Sequence, residues 1–488
     1  MLSVILWGEV EEALSMFQDI PVDVGIAYEG ERIRRPQMYL EFGGPKVKYK
    51  FELARVRKPE EVEDGKVKIV GPDIKDLPEG SSVPLGILVE VAGSQLEEDL
   101  EGIIERRIHE FTNYINGFMH LNQRYDIWCR LSKEAFRKGL NSFTYIGKVM
   151  IRLYKADLPI IEKIQVTFIT DPKEVERMYH EALKIYEARD ARARGLRDED
   201  VEEFYGCTLC QSFAPTHVCV ITPQRYANCG AISWFDGRAA SKVDPKGPIF
   251  RIPKGECLDP FKGEYSGVNK VVQEKSLGAI KRVWLYTAFG YPHTSCGCFE
   301  AIAFYIPEVD GFGIVHRDFK GPAINGLPFS TMADATGGGR QVDGFHGISI
   351  EYMRSPKFLQ VDGGWRRVVW VPKAVYERVK DFIPEDVRDK IATDEDVKTI
   401  EELIEFLKAK GHPVVERWKE KEAEKVEAKP VEAEAVAAAP EAVPQITGMT
   451  GVSISGIPMA AGGLRIILKG AKIRIDKVVI KRTGSGGK

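Results

Sequence analysis

Six of the eight cysteines fall between residues 207 and 298, in two groups whose spacings call for different chemistry. The first reads "CTLCQSFAPTHVCVITPQRYANC" and places Cys207, Cys210, Cys219 and Cys229 as C-x2-C-x8-C-x9-C. Thiolates are soft donors that select zinc or an iron–sulfur cluster. Structural zinc usually takes two tight cysteine pairs. Here only the first pair is tight and the other two arrive singly. That favours a cubane, whose irons are spread apart and each need one thiolate; zinc, or four unrelated cysteines, are the alternatives. The second group is the "CGC" of "HTSCGC", where Cys296 and Cys298 flank Gly297. The amides of Gly297 and Cys298 lie between the two sulfurs. Once deprotonated, they complete a square of two sulfurs and two nitrogens, a geometry diagnostic of Ni(II) or Cu(II), with sulfur donors in a reducing compartment favouring nickel. Glycine leaves such a flat backbone unhindered, and the thiolates keep lone pairs for bridging to a further metal. The plain alternative is two buried cysteines in an apolar strand.

Together the two motifs, the four-cysteine set followed by "SCGCFEAI", resemble the acetyl-CoA synthase family of the carbon monoxide dehydrogenase/acetyl-CoA synthase complex, in its archaeal β-subunit form. The resemblance spans residues 1 to about 400. It implies an A-cluster, in which a [4Fe–4S] cubane is bridged to a proximal nickel, itself bridged to a distal nickel. On this sequence it implies that Cys207, Cys219 and Cys229 hold the cubane alone, while Cys210 holds the fourth iron and bridges to the proximal nickel. Cys296 and Cys298 would bind both nickels, with the amides of Gly297 and Cys298 on the distal one. Phe213 matches the family's aromatic that shields the proximal nickel. The implied reaction joins CO, a methyl group from a corrinoid iron–sulfur protein and CoA into acetyl-CoA through a nickel-bound acetyl, in either direction. A non-catalytic iron–sulfur or zinc protein that passes electrons or scaffolds a complex is the competing function.

CoA carries phosphates and an adenine, so its site calls for Arg or Lys beside an aromatic plane. "IERRIHEF" and "NQRYDIWCR" offer Arg106, Arg107, Arg124, Trp128 and Arg130, although a solvated helix face explains the first pair equally well. "VHRDFKGPAIN" around His316, Arg317 and Asp318 fails as a kinase catalytic loop, because Ala323 stands where the required Asn belongs. The glycine-rich stretch at 334–347 is neither a dinucleotide nor a P-loop motif. It reads as a wrap around the cluster or as a surface turn. His293 is expected to be a satisfied structural histidine, and Cys129 and Cys257 buried small hydrophobes.

These residues need a scaffold, and composition supplies one. At 488 residues with 44% hydrophobic side chains the chain has ample core for more than one domain, and its net charge of −3 offers nothing to nucleic acid. No apolar run reads as a membrane span, and the start lacks a signal-peptide pattern, so a cytoplasmic protein is expected. The fold class is mixed α/β. Residues 1–180 form a first domain for CoA and the methyl-donor partner, and 181–393 form the cluster domain. A helix at 394–415 follows, then a Glu/Ala/Pro linker at 416–445 and a small β-like docking module at 446–488. Within the first domain, strands are expected at 83–93 and 163–171 and a helix at about 95–120. Asp171, Pro172 and Glu174 announce a boundary helix with a capping box, and Thr399 and Glu402 another that Gly411 ends. Docking to the carbon monoxide dehydrogenase subunits is assigned to the terminal module.

Overall fold

Two four-stranded mixed sheets build the first part of the described chain, residues 16–418, in this computed structural model. Their strands are β1 (Met38–Gly43), β2 (Lys50–Val56), β3 (Lys66–Val70), β4 (Ser82–Val83), β5 (Leu85–Ala92), β6 (Phe118–Leu121), β7 (Trp128–Ser132) and β8 (Lys163–Ile169). One sheet has the order β4-β1-β7-β6 and the other β2-β5-β8-β3. β5 lies parallel to β2 and antiparallel to β8, so both its edges are paired, and six of its eight residues are buried, which suits the apolar run "LGILVEVA". The strands expected at 83–93 and 163–171 are therefore present as β5 and β8.

The helix expected at about 95–120 is shorter, α1 (Glu101–Asn113), because residues 118–121 turn into β6. All thirteen of its residues are buried, charged ones included. Ile103, Ile104, Ile108 and Phe111 supply its apolar contacts. The adjoining side meets the edge of β2, where Val56 N donates to Glu101 Oε1 at 2.8 Å and Ala54 N donates to Glu105 Oε2 at 3.2 Å. Those carboxylates close a strand edge that would otherwise expose unpaired amides. A further helix, α2 (Phe143–Asp157), packs on α1. Next comes α3 (Pro172–Arg194), with Asp171 capping the amides of Lys173 and Glu174 and with Pro172 in its first turn. The side chain of Glu174 turns to Arg177 instead of completing a capping box. The boundary placed at 180 falls inside this continuous helix.

Beyond α3 the chain forms β9 (Glu203–Cys207), β10 (Cys219–Ile221), α4 (Trp234–Val243) and β11 (Ile249–Pro253), the strands pairing in the order β10-β9-β11. A short hairpin, β12 (Cys257–Asp259) and β13 (Glu264–Tyr265), leaves Cys257 exposed, contrary to the buried position expected of it; Cys129 is buried in β7. A last sheet, β16-β14-β15-β17, comprises β14 (Ala301–Ile306), β15 (Gly311–His316), β16 (Phe345–Ile348) and β17 (Val368–Trp370), with α5 (Phe329–Thr336) against it. The closing helix α6 (Ile400–Lys410) starts on Thr399, whose Oγ1 accepts from Glu402 N at 3.2 Å, and stops at Gly411 in the left-handed region. Glu402 itself reaches Lys398 N rather than the capping residue's amide. Residues 416–418, read as the start of the linker, are still helical; the rest of the linker, 419–445, and the terminal module lie outside the described residues. No helix of the described residues is long and apolar enough to cross a membrane.

Candidate metal centre

Cys207 ends β9 and Cys219 begins β10, paired in register across the antiparallel strands. Cys210 sits in the tight turn after β9 and Cys229 in the loop beyond β10, and all four side chains are buried. The segment 293–300 enters the last sheet beside them. Cross-bonds hold the two cysteine segments together. Val220 N donates to His293 Nε2 at 2.8 Å, Asn228 Nδ2 to Thr294 O at 3.1 Å, and Glu300 N to Asn228 O at 3.0 Å. His293 is thus the satisfied structural histidine expected, its Nδ1 facing Thr294 O at 2.6 Å. The result is a close trio: the sulfurs of Cys210, Cys296 and Cys298 all lie within 4.8 Å of one another.

Electrostatics argue that this sulfur set wants a cation. Burial, with neighbouring thiolate charge added, pushes the Cys207 thiol well up, and burial pushes Cys219 up to about 12. Hydrogen bonds from Cys210 and Cys296 hold Cys298 low, while contacts with Cys210 and Cys298 push Cys296 well up. Three sulfurs crowded this closely cannot all be thiolates without a counter-charge, and a soft metal ion is one that would supply it. The residues present fit such an ion in donor type, burial and spacing.

The surroundings complete the pocket. Cys298 N donates to Cys296 Sγ at 3.2 Å, which places one of the amides of the Cys-Gly-Cys turn against sulfur. Gly297 does not use the left-handed region, so backbone strain is not its reason; a Cβ there would stand 3.4 Å from the ring of Phe213. Phe213, 41% exposed, shares with Cys296, Gly297 and Cys298 the wall of a cavity of about 550 Å³. The glycine-rich stretch wraps this site: Gly338 N and Gly339 N donate to the carbonyls of Cys296 and Ser295 at 2.8 and 2.9 Å. Gly337 approaches so closely that a Cβ would meet Cys296 O at 2.6 Å.

The candidate CoA residues scatter. Only Trp128 lines the cavity, its ring covered by the Arg130 guanidinium at 4.7 Å. Arg130 and Trp128 both bond Glu41. Arg124 is buried in ion pairs with Asp190 and Glu105 and borders a separate cavity of about 350 Å³. Arg107 pairs with Glu110 and Asp157. Arg106 is 1% exposed and reaches Cys210 Sγ at 3.7 Å. Neither member of the α1 pair lies on a solvated face, because the helix is buried all round. The sequence reading missed Arg32, Arg340 and Glu29, which do line the cavity. Single residues on loops carry no spacing that could have marked them. It also missed Arg317, which donates to Cys298 O at 3.2 Å and pairs with Asp126. His316 and Asp318 gather with Asp126 as a second possible ligand group. Asp318 N donates to His316 Nδ1 at 3.1 Å, and burial pushes this histidine down to about 3. Its Nε2 therefore holds the proton and offers no lone pair to an ion.

Two family models divide the chain within α3. The model described as "CO dehydrogenase/acetyl-CoA synthase complex beta subunit" matches residues 20–175, and that for the C-terminal part of the ACS/CODH beta subunit matches 186–418. The acetyl-CoA decarbonylase/synthase complex subunit beta of Methanothermobacter thermautotrophicus is 56% identical over 470 residues, 96% of this chain and 100% of that one. The chain belongs to this β-subunit family. A subunit beta 2 from Methanocaldococcus jannaschii is 57% identical over 468 residues, 96% of this chain and 98% of its own. The family also has a solved relative, the C-terminal domain of the alpha chain of an acetyl-coenzyme A synthase. It is 41% identical over 25% of this chain and 95% of its own, with a TM-score of 0.22.

Proposed function

We propose that this chain makes and breaks acetyl-CoA at a nickel–iron–sulfur centre, taking CO, CoA and a methyl group from a corrinoid iron–sulfur protein. Membership of the acetyl-CoA decarbonylase/synthase β-subunit family supports the reaction. The observation that carries the metal reading is the trio of sulfurs within 4.8 Å of one another, two of them, those of Cys296 and Cys298, on the wall of the cavity beside Phe213. Cys207, Cys219 and Cys229 would hold a cubane, Cys210 the cubane and a proximal nickel, and Cys296 and Cys298 both nickels with the amides of Gly297 and Cys298. When bound, the centre supplies an open position on a soft metal where carbon ligands are held side by side.

The chain's own residues do the rest. Phe213 keeps water from the space over Gly297, in the wall of a site whose metal-binding sulfurs are otherwise largely buried. Arg32 and Arg340 bring positive charge to the exposed wall, Arg340 held by the carbonyls of Asp334, Ala335 and Gly337. They are suited to the phosphates of CoA, and the Trp128 ring to its adenine. Glu29 is placed to take the CoA thiol proton: burial pushes its carboxyl up, and its Oε1 is buried without a hydrogen-bond partner. All eight cysteines are free, which supports a reducing, cytoplasmic setting, and the family's complex supports carbon monoxide dehydrogenase subunits as partners.

The test is anaerobic reconstitution with iron, sulfide and nickel, followed by metal analysis and exchange of labelled CO and CoA into acetyl-CoA. Nickel and iron together with exchange are expected. Zinc alone or iron alone, with no exchange, would instead make the chain a scaffold or electron carrier.

A further inference from the structure

Arg106 is buried and yet pairs with no carboxylate of the described residues. Its guanidinium has two polar contacts, His109 Nδ1 at 3.2 Å and Cys210 Sγ at 3.7 Å. Other buried arginines of the described residues take acidic partners: Arg107 with Glu110 and Asp157, Arg124 with Asp190, and Arg317 with Asp126. Arg225, also buried without one, meets neutral groups, Val220 O at 3.3 Å, Asn228 Oδ1 at 3.1 Å and His346 Nε2 at 3.2 Å. Among the described residues Arg106 has no oxygen partner. His109 cannot supply the missing charge, since burial and the Arg106 charge itself keep it neutral. A buried cation needs a counter-charge. The sulfur of Cys210, within reach of the guanidinium, is the group placed to supply it.

We propose that Arg106 is the built-in counter-charge of the metal centre and sets its reduction potential through Cys210. The inference rests on the reading of the six cysteines as cluster ligands. A donor hydrogen-bonded to a ligating sulfur and a fixed positive charge both stabilise the more negative state, and such bonds tune iron–sulfur potentials. On reduction the centre gains one electron from an external donor, and Arg106 stays protonated throughout. Its position is rigid, because α1 is fixed to β2 through Glu101 and Glu105 and to α3 through Arg189. Arg106 is thus a positioning and tuning residue that touches no substrate.

The experiment uses the full chain, reconstituted with iron, sulfide and nickel and titrated with dithionite while visible absorption is followed. Arg106→Lys, which keeps the charge, is expected to retain the wild-type midpoint. Arg106→Gln is expected to keep its iron and to shift to lower potential by at least tenfold in the reduction equilibrium, about 59 mV for one electron. An Arg106→Gln protein that loses iron while Arg106→Lys keeps it also supports a required counter-charge. Three results overturn the proposal: an unshifted Arg106→Gln midpoint at full iron, equal shifts in both variants, or loss of iron from both. Wild-type protein that binds no iron overturns the cluster reading itself, and this inference with it.

Discussion

Cys296 and Cys298 sit two residues apart but in different surroundings, the first 4% exposed and the second half-buried at the cavity wall. Cys207, Cys219 and Cys229 lie behind them, away from that wall. This division predicts separable losses. Cys298→Ser replaces a soft sulfur by a hard hydroxyl at the nickel end, so nickel and acetyl exchange should disappear while the visible absorption of the cubane persists. Cys229→Ser should bleach that absorption. Equal loss of absorption in both variants would count against two metal compartments. The six cysteines were legible because thiol spacing is itself chemistry. Arg106 was not, since "IERRIHEF" reads equally as a solvated face or a phosphate site. What satisfies it is a sulfur 104 residues away.

At the scale of elements, α1 explains how charged residues come to lie in a core. Glu101 and Glu105 close the edge of β2, and Arg189 of α3 bonds both carboxylates and also Ala54 O at 2.6 Å. Removing one member of such a buried set leaves the others uncompensated. Arg189→Met is therefore expected to cost about 3–5 kcal/mol in denaturant unfolding. Arg177→Ala, which breaks only exposed pairs on the same helix, should cost less than about 1 kcal/mol. Similar midpoints for the two variants would contradict this account of α1. The start of α3 was readable from Asp171-Pro172, because a cap is a local bond. The carboxylate closure of β2 was not, since its partners are 45 and 51 residues apart in sequence.

Over the whole described molecule, the cysteines mark a seam. Cys207, Cys219 and Cys229 belong to a core that runs from Ile20 through both early sheets to Ile249, whereas Cys210 and Cys296 belong to the core under the last sheet and α6. Cys298 packs against both. The sequence reading drew a domain boundary at residue 180 but could not show that one early core continues past it into the cysteine loops. A ligand that binds only the folded form stabilises it, and a metal held from both sides of a seam also resists its opening. Metal-loaded protein should therefore melt higher than protein stripped by chelator under reducing conditions. In limited proteolysis, stripped protein should be cut first at 208–230 and 291–300, where the loops from the two cores meet, before any cut in β5 or β8. If stripping leaves both the melting temperature and the order of cuts unchanged, the centre is not what closes the seam, and the cross-bonds from Asn228 and His293 hold it unaided.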